Sequence, residues 1–162
     1  MIFVTLGSQK FQFNRLLKKI DDLIEDKTIT EAVFAQTGVS DYIPRNYSVK
    51  AFLDRDEFSE MISRCDIIIT HGGTGAIVSG VKSGKKVIAV PRLAKYGEHI
   101  DDHQLQIIGQ FEESNLILSC VDCDKLEDVL RKVKSMKFNT YQSNTQRIID
   151  SIEHFLTKIE SS

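Results

Sequence analysis

Residues 71–75 read His-Gly-Gly-Thr-Gly, directly after the apolar run Ile67-Ile68-Ile69-Thr70. Glycines at Gly72, Gly73 and Gly75 let a ligand approach the backbone. A helix opening at Thr74 or Gly75 would add unpaired N–H groups and the positive end of its dipole. The chemistry this suits is the holding of an anion, with His71 and Thr74 as polar neighbours. A tight strand-to-helix turn that binds nothing is the plainer alternative. A second glycine bend, Gly7-Ser8-Gln9, could cradle a phosphate too. A third cluster runs from Arg92 to Gln104 and holds Lys95, Tyr96, Glu98, His99, Asp101, Asp102 and His103. Adjacent Asp, His and Gln offer donors and acceptors together, which suits sugar hydroxyls. Set opposite two phosphate-type loops, that cluster implies a sugar joined to a diphosphate.

Other chemistries compete for the same residues. His99 and His103 are four apart and could form a metal pair on one helical face, but Ile100 stands where the HExxH pattern needs glutamate. The plain reading of the cluster is a solvated helix start whose acidic residues favour the dipole. The P-loop pattern GxxxxGK[ST] is absent, which weakens a kinase or ATPase reading. Gly73-x-Gly75 is followed by Val78 where a dinucleotide fingerprint needs its third glycine, and the turn lies mid-chain. Cys120 and Cys123 have CxxC spacing without a second pair or a nearby His, so they read as reduced thiols at a strand end.

The elements that must position these residues alternate. Strands are expected at 2–6, 32–36, 49–53, 66–70, 86–90 and 116–118, the central ones apolar throughout as buried parallel strands are. Between them, a helix over 14–25 buries Leu16, Leu17, Ile20, Leu23 and Ile24 and turns Lys18, Lys19, Asp21 and Asp22 to water. Asp54 or Asp56 caps a short helix with Phe58, Met61, Ile62 and Cys65 on its apolar side. A helix from Thr74 or Gly75 is stopped by Gly84. Further helices are expected over 99–113 (Leu105, Ile108 and Phe111 inward), over 125–136, and from a Thr140 cap to about 159, with Ile148, Ile152, Phe155, Leu156 and Ile159 inward. The fold class is α/β, a doubly wound, mostly parallel sheet of Rossmann-like type in one domain over 1–162. Ligands in such folds sit past the carboxyl ends of the strands, where Gly7, Phe52-Leu53-Asp54, His71–Gly75 and Pro91–Gln104 all fall.

The chain has 162 residues, 27% of them charged, and a formal net charge of −2, which argues against a general nucleic-acid binder. No apolar run is long enough to cross a bilayer, and the start lacks a charged leader, so the expected location is the cytoplasm.

Taken together, Phe52-Leu53-Asp54, Cys65–Gly75, Gly84–Arg92 and Gly97-Glu98-His99-x-Asp101-Asp102-His103-Gln104, with the opening Val4–Ser8, resemble the C-terminal half of MurG-like, family 28 glycosyltransferases of GT-B architecture. The likeness runs over nearly the whole chain. It is nearest to the small soluble subunit of split transferases that make bacterial exopolysaccharide or capsule; a eukaryotic relative works on dolichol-linked sugars. The resemblance implies a donor-binding subunit of an inverting transferase, with a UDP-hexose as substrate and no cofactor or metal. It places UDP-galactose ahead of UDP-glucuronate or UDP-N-acetylglucosamine. It implies a membrane-anchored partner similar to the N-terminal half, which would recruit this chain to the inner face of the membrane, and a lipid-linked acceptor.

By the same resemblance, backbone at Phe52 and Leu53 holds uracil, and His71, Gly72, Gly73, Thr74 and Gly75 face diphosphate and sugar. Gly7 and Ser8 approach phosphate or acceptor. Asp102, His103 and Gln104 read the sugar hydroxyls, with Gln104 the leading single candidate, and Arg92, Glu98, His99 and Asp101 complete the donor-binding set; on physical grounds Arg92 or Lys95 could also add charge opposite the departing diphosphate. His71 and His99 are local candidates for the general base, which in this fold often comes from the other half. Ser79 stands where relatives often carry a ribose-gripping glutamate, and Lys86 where proline is common. The helix over 140–159 could dock the partner, or pair two copies in its absence. Lys132, Lys134 and Lys137, with Arg131, could face anionic lipid, although a solvated helix face explains them equally. A non-catalytic enhancer subunit and a metal-dependent hydrolase using His99 and His103 are the alternatives from other classes.

Overall fold

A computed structural model describes residues 1–140 and 143–161. Six parallel strands form one sheet: β1 (Ile2–Thr5), β2 (Val33–Gln36), β3 (Ser48–Lys50), β4 (Ile67–Thr70), β5 (Lys86–Ala89) and β6 (Leu118–Ser119). Their order is β3-β2-β1-β4-β5-β6. Six α-helices connect and cover them: α1 (Asn14–Glu25), α2 (Arg55–Arg64), α3 (Thr74–Lys82), α4 (His103–Glu113), α5 (Leu126–Ser135) and α6 (Ser143–Glu160).

Strand periodicity sorts the side chains into two cores. Ile2, Val4, Ile67, Ile69 and Ile88 point to one face and pack with Leu16, Leu17, Ile20 and Leu23 of α1 and Leu126, Leu130 and Val133 of α5. Phe3, Ile68, Val87 and Ala89 point to the other, against Ile62 of α2, Ile77, Val78 and Val81 of α3, Ile107, Ile108 and Phe111 of α4, and Ile149 and Ile152 of α6. Covering both faces is why β4 carries three consecutive isoleucines. Helix α3 lies especially close to the sheet: a Cβ at Gly80 would stand 2.6 Å from Val87 Cγ2 and 2.8 Å from Ile68 Cδ1.

The order of elements agrees with the sequence reading; several boundaries do not. β3 ends at Lys50 rather than Leu53, because its neighbour β2 stops at Gln36 and the segment 51–53 runs into the cap of α2. There Asp54 accepts from Glu57 N–H at 2.8 Å while the Glu57 carboxylate accepts from Asp54 N–H at 2.9 Å, a reciprocal cap. The last strand is Leu118–Ser119, not 116–118. α4 begins at His103 rather than His99, and Leu105 is only partly buried while Ile107 lies inside. α6 is described from Ser143 to Glu160; the expected cap of this helix by Thr140 involves residues 141 and 142, which, with the side chain of Ile148, lie outside the described residues. Asp21 does not face water: it is 2% exposed. Its carboxylate accepts from Tyr42 Oη at 2.8 Å, from the N–H groups of Arg45 and Asn46 at 2.9 Å each, and from Asn46 Nδ2 at 2.9 Å. These donors hold its pKa below the usual carboxylate value although burial pulls the other way.

Candidate functional site

Strand order reverses between β1 and β4. β1 leads outward to β2 and β3, β4 to β5 and β6, so the loops after these two central strands diverge at the sheet's carboxyl edge, the place where folds of this type hold a ligand crevice. Thr5 is in register with Thr70, which sets Gly7 beside His71. Gly7 has φ +69° and Gly72 φ +91°, conformations that side chains with a Cβ rarely adopt.

The His71 imidazole fills the gap between the two glycine bends. A Cβ at Gly7 would lie 2.8 Å from its Cε1, and one at Gly73 would lie 2.5 Å from its Nε2, so the ring is seated only because both positions lack a side chain. His71 Nδ1 is 3.2 Å from Thr5 O. A carbonyl only accepts, so this contact is a hydrogen bond in the tautomer with the proton on Nδ1, which leaves Nε2 as the acceptor; Thr70 Oγ1 is 3.4 Å from the same Nδ1. Burial first, and then the nearby Arg92 charge, lower the His71 pKa to about 4 against the opposing effect of the Thr5 contact. The ring is therefore neutral at pH 7 and a weak base.

Directly beyond it, Gly73 is the N-cap of α3 and supplies no side-chain cap. The first helical bond runs from Ile77 N–H to Gly73 O at 3.1 Å, which leaves the amides of Thr74, Gly75 and Ala76 as the unpaired donors of the first turn. Those donors, with the dipole behind them, suit a diphosphate. Ser79, one turn further, is half-buried beside a cleft of about 510 Å³ shared with Phe58, Ser59 and Ile62 of α2.

Gln104, in the first turn of α4, joins this turn. Its Oε1 accepts from Arg92 N–H at 3.3 Å and would be 3.8 Å from a Cβ at Gly72. Asp102 lies alongside, accepting from Ala94 N–H at 3.0 Å. Asp101 accepts from His103 N–H at 3.1 Å and sits between His99 and His103, 3.5 Å and 3.8 Å from their ring nitrogens. His99 precedes α4, so the two histidines do not share a helical face, and among the described residues no group of three or more His, Cys, Asp or Glu is gathered for a metal. On the other side of the crevice Gly38 N–H donates to Ala51 O at 2.8 Å, which holds Phe52 half-exposed (49%) at the edge and Leu53 against the core. Ser8 is exposed at the rim.

Two candidate residues are turned inward. Arg92 is 1% exposed; its Nη2 donates to Leu6 O at 3.0 Å and Phe11 O at 2.9 Å, and its guanidinium lies 5.6 Å from the Phe13 ring. Its Nε and Nη1 are buried without a partner, and burial lowers its pKa to about 10. Glu98, also 1% exposed, is gripped by Arg15 rather than facing the crevice. Sequence reasoning missed Arg15 and Asp21, because a charged residue at either position suits a solvated helix face equally well. Cys120 and Cys123 are free and buried, their pKa values raised by that burial to about 12 and about 11, so neither is a ready nucleophile. Among the described residues no helix is long and apolar enough to cross a membrane.

Known proteins give a consistent picture. The structure is similar to MurG of Acinetobacter baumannii (TM-score 0.60, 16% identity, 94% of this chain and 49% of that one). It is also similar to the Streptomyces glycosyltransferase SsfS6 complexed with thymidine diphosphate (TM-score 0.58, 15% identity, 99% and 41%). These likenesses show the fold: the C-terminal half of a GT-B glycosyltransferase. In sequence, the chain is 25% identical over 131 residues to the human UDP-N-acetylglucosamine transferase subunit ALG13, covering 74% of this chain and 11% of that protein. It is 27% identical over 106 residues to the ALG13 subunit of Kluyveromyces lactis, covering 59% of this chain and 52% of that protein. The chain thus spans about half, or much less, of the curated relatives it matches. The glycosyltransferase family 28 C-terminal domain matches residues 1–159, and the chain belongs to that family.

Proposed function

We propose that this chain is the donor-binding subunit of a two-part, inverting glycosyltransferase that transfers a hexose from a UDP-sugar to a lipid-linked acceptor. The observation that carries the reading is the meeting of two groups at one crevice: the uncapped N-terminus of α3 and, within van der Waals reach of Gly72, the Gln104 side chain. The first suits a pyrophosphate, the second a sugar hydroxyl beside it. As the glycosidic bond to the donor breaks, negative charge gathers on the departing diphosphate. Fixed amides and a helix dipole oppose that charge without having to reorganise. His71, neutral, accepts a hydrogen bond through Nε2 and adds no charge. With a pKa of about 4 it is poorly matched to take the acceptor's proton at pH 7. The base therefore comes from the partner half or from His99.

The partner supplies the opposite wall of the crevice, the acceptor contacts and the membrane anchor, and brings this chain to the cytoplasmic face of the membrane. UDP-galactose is the donor we favour, for an exopolysaccharide or capsule acceptor; the names of the curated relatives carry UDP-N-acetylglucosamine instead. Titrating UDP-galactose, UDP-N-acetylglucosamine and UDP into the full chain, alone and with its partner, and following transfer of radiolabelled sugar to lipid, tests the reading. Binding of UDP and one UDP-sugar is expected. A second reading, a scaffold that enhances a catalytic partner, is favoured by the inward commitment of Arg92 and Glu98. It replaces the first if none of the three ligands binds at millimolar concentration with the partner present.

A further inference from the structure

We propose that Arg15, on α1, is a positioning residue for the donor sugar: by clamping Glu98 it holds the loop that delivers Asp101, Asp102 and Gln104 in place beside the glycine turn. The proposal rests on the donor-binding reading above. Residues 91–102 carry no regular structure beyond a single 3₁₀ turn at Ala94–Tyr96, yet this segment decides where α4 starts and therefore where Gln104 stands. Something outside the segment must fix it.

Arg15 does so in three ways. Its Nε donates to Glu98 Oε2 at 3.1 Å and its Nη2 to Glu98 Oε1 at 2.9 Å, a two-point grip that sets the orientation of the carboxylate as well as offsetting its charge. The guanidinium lies over the Tyr96 ring at 4.5 Å. Nη2 also reaches Pro91 O at 3.4 Å, at the segment's first residue. Glu98 Oε1 in turn accepts from Leu93 N–H at 3.2 Å, so the carboxylate closes the loop upon itself. Neighbouring residues reinforce the clamp: Gln12 Nε2 donates to Tyr96 O at 3.3 Å, and the Phe11 ring lies 4.9 Å from that of His99.

Without Arg15 the Glu98 carboxylate would be a buried charge lacking its counter-ion, and the segment must open to hydrate it. The glycine turn and α3 are anchored elsewhere, through Thr5 and the sheet. Loss of Arg15 therefore acts on the sugar end of the donor and spares the nucleotide end.

Two measurements on the full chain test this. In hydrogen exchange without ligand, Arg15→Ala is expected to speed exchange of the amides of 93–104 at least tenfold while β1, β4 and α3 keep their protection. In titration, the preference for the bound UDP-sugar over UDP is expected to fall about tenfold while UDP affinity stays within about twofold, tenfold being about 1.4 kcal/mol. Arg15→Lys keeps a counter-ion without the two-point grip, so it should recover part of the exchange protection at 93–104 but not the preference for the UDP-sugar. Unchanged exchange at 93–104, or equal loss of UDP and UDP-sugar affinity, overturns the proposal. A wild-type chain that binds no uridine nucleotide overturns the donor-binding reading instead, and the exchange result still decides whether Arg15 holds the loop.

Discussion

Acid should weaken this fold through one imidazole. His71 is 5% exposed, and its pKa falls from 6.5 to about 4 on folding, chiefly by burial and then by the Arg92 charge. A group whose folded pKa is depressed in this way binds protons more readily in the unfolded chain. A basic side chain of that kind contributes stability that is complete above pH 6.5 and drains away as pH falls from 6.5 toward 4. Integrating the linkage between those two values gives a loss of about 2 kcal/mol between pH 7.5 and pH 5 from this residue alone. Carboxylates add their own terms, so the comparison is with His71→Gln, which keeps a polar side chain and removes the titration. Urea unfolding of both proteins at half-unit steps from pH 7.5 to 4.5 gives two stability curves. Their difference should change by about 2 kcal/mol between pH 7.5 and pH 5, the wild type losing more. A flat difference would mean that the ring is charged or hydrated in the folded protein, and the neutral-acceptor role assigned to Nε2 would fall with it.

Other substitutions probe the same frame. Gly73→Ala sets a methyl 2.5 Å from His71 Nε2, and the ring has Gly7 behind it, so overpacking of about 1–3 kcal/mol and loss of UDP binding are expected, read by thermal melting and titration. Asp21→Ala leaves the amides of Arg45 and Asn46 without their acceptor; a loss of about 2–4 kcal/mol, with fast exchange over 42–46, checks this in urea. Asp54→Ala removes one arm of the α2 cap and should cost about 1 kcal/mol while leaving UDP-sugar preference untouched. Gln104→Leu keeps the volume and deletes the amide, so UDP affinity should persist while discrimination among UDP-hexoses declines by about tenfold, or about 1.4 kcal/mol.

How much of this could be read from the chain depends on what kind of signal each element sends. The central strands were legible because burial on both faces forces near-continuous apolar runs, and Ile67–Ile69 can hardly be anything else; their order in the sheet was not read from the chain. The glycine turn announced itself through composition. The start of α4 did not. Asp101, Asp102 and His103 suit an early helical turn as well as a loop, and only the contacts of Ala94 and His103 N–H groups with those carboxylates decide between them. Arg15 and Glu98 lie 83 positions apart, and no local pattern links them. Asp21 looked solvated because helical periodicity reports which face a residue occupies, not whether a distant loop folds over it. For Arg15 and Asp21 the deciding partner is remote in sequence; for the start of α4 it is local, but the residue types fit either conformation.

The near-contact of α3 with the sheet at Gly80 has a consequence for anything bound at the far end of that helix. Gly80 stands six residues from Thr74, about 9 Å along the axis at 1.5 Å per residue. A single methyl at Gly80, wedged against Val87 and Ile68, would tip the rod about that point and swing its opening amides sideways like the tip of a lever. In so short a helix, seating and aim are one variable. A substitution hidden behind the sheet, touching no ligand, would therefore misdirect the anion grip as surely as one made within it.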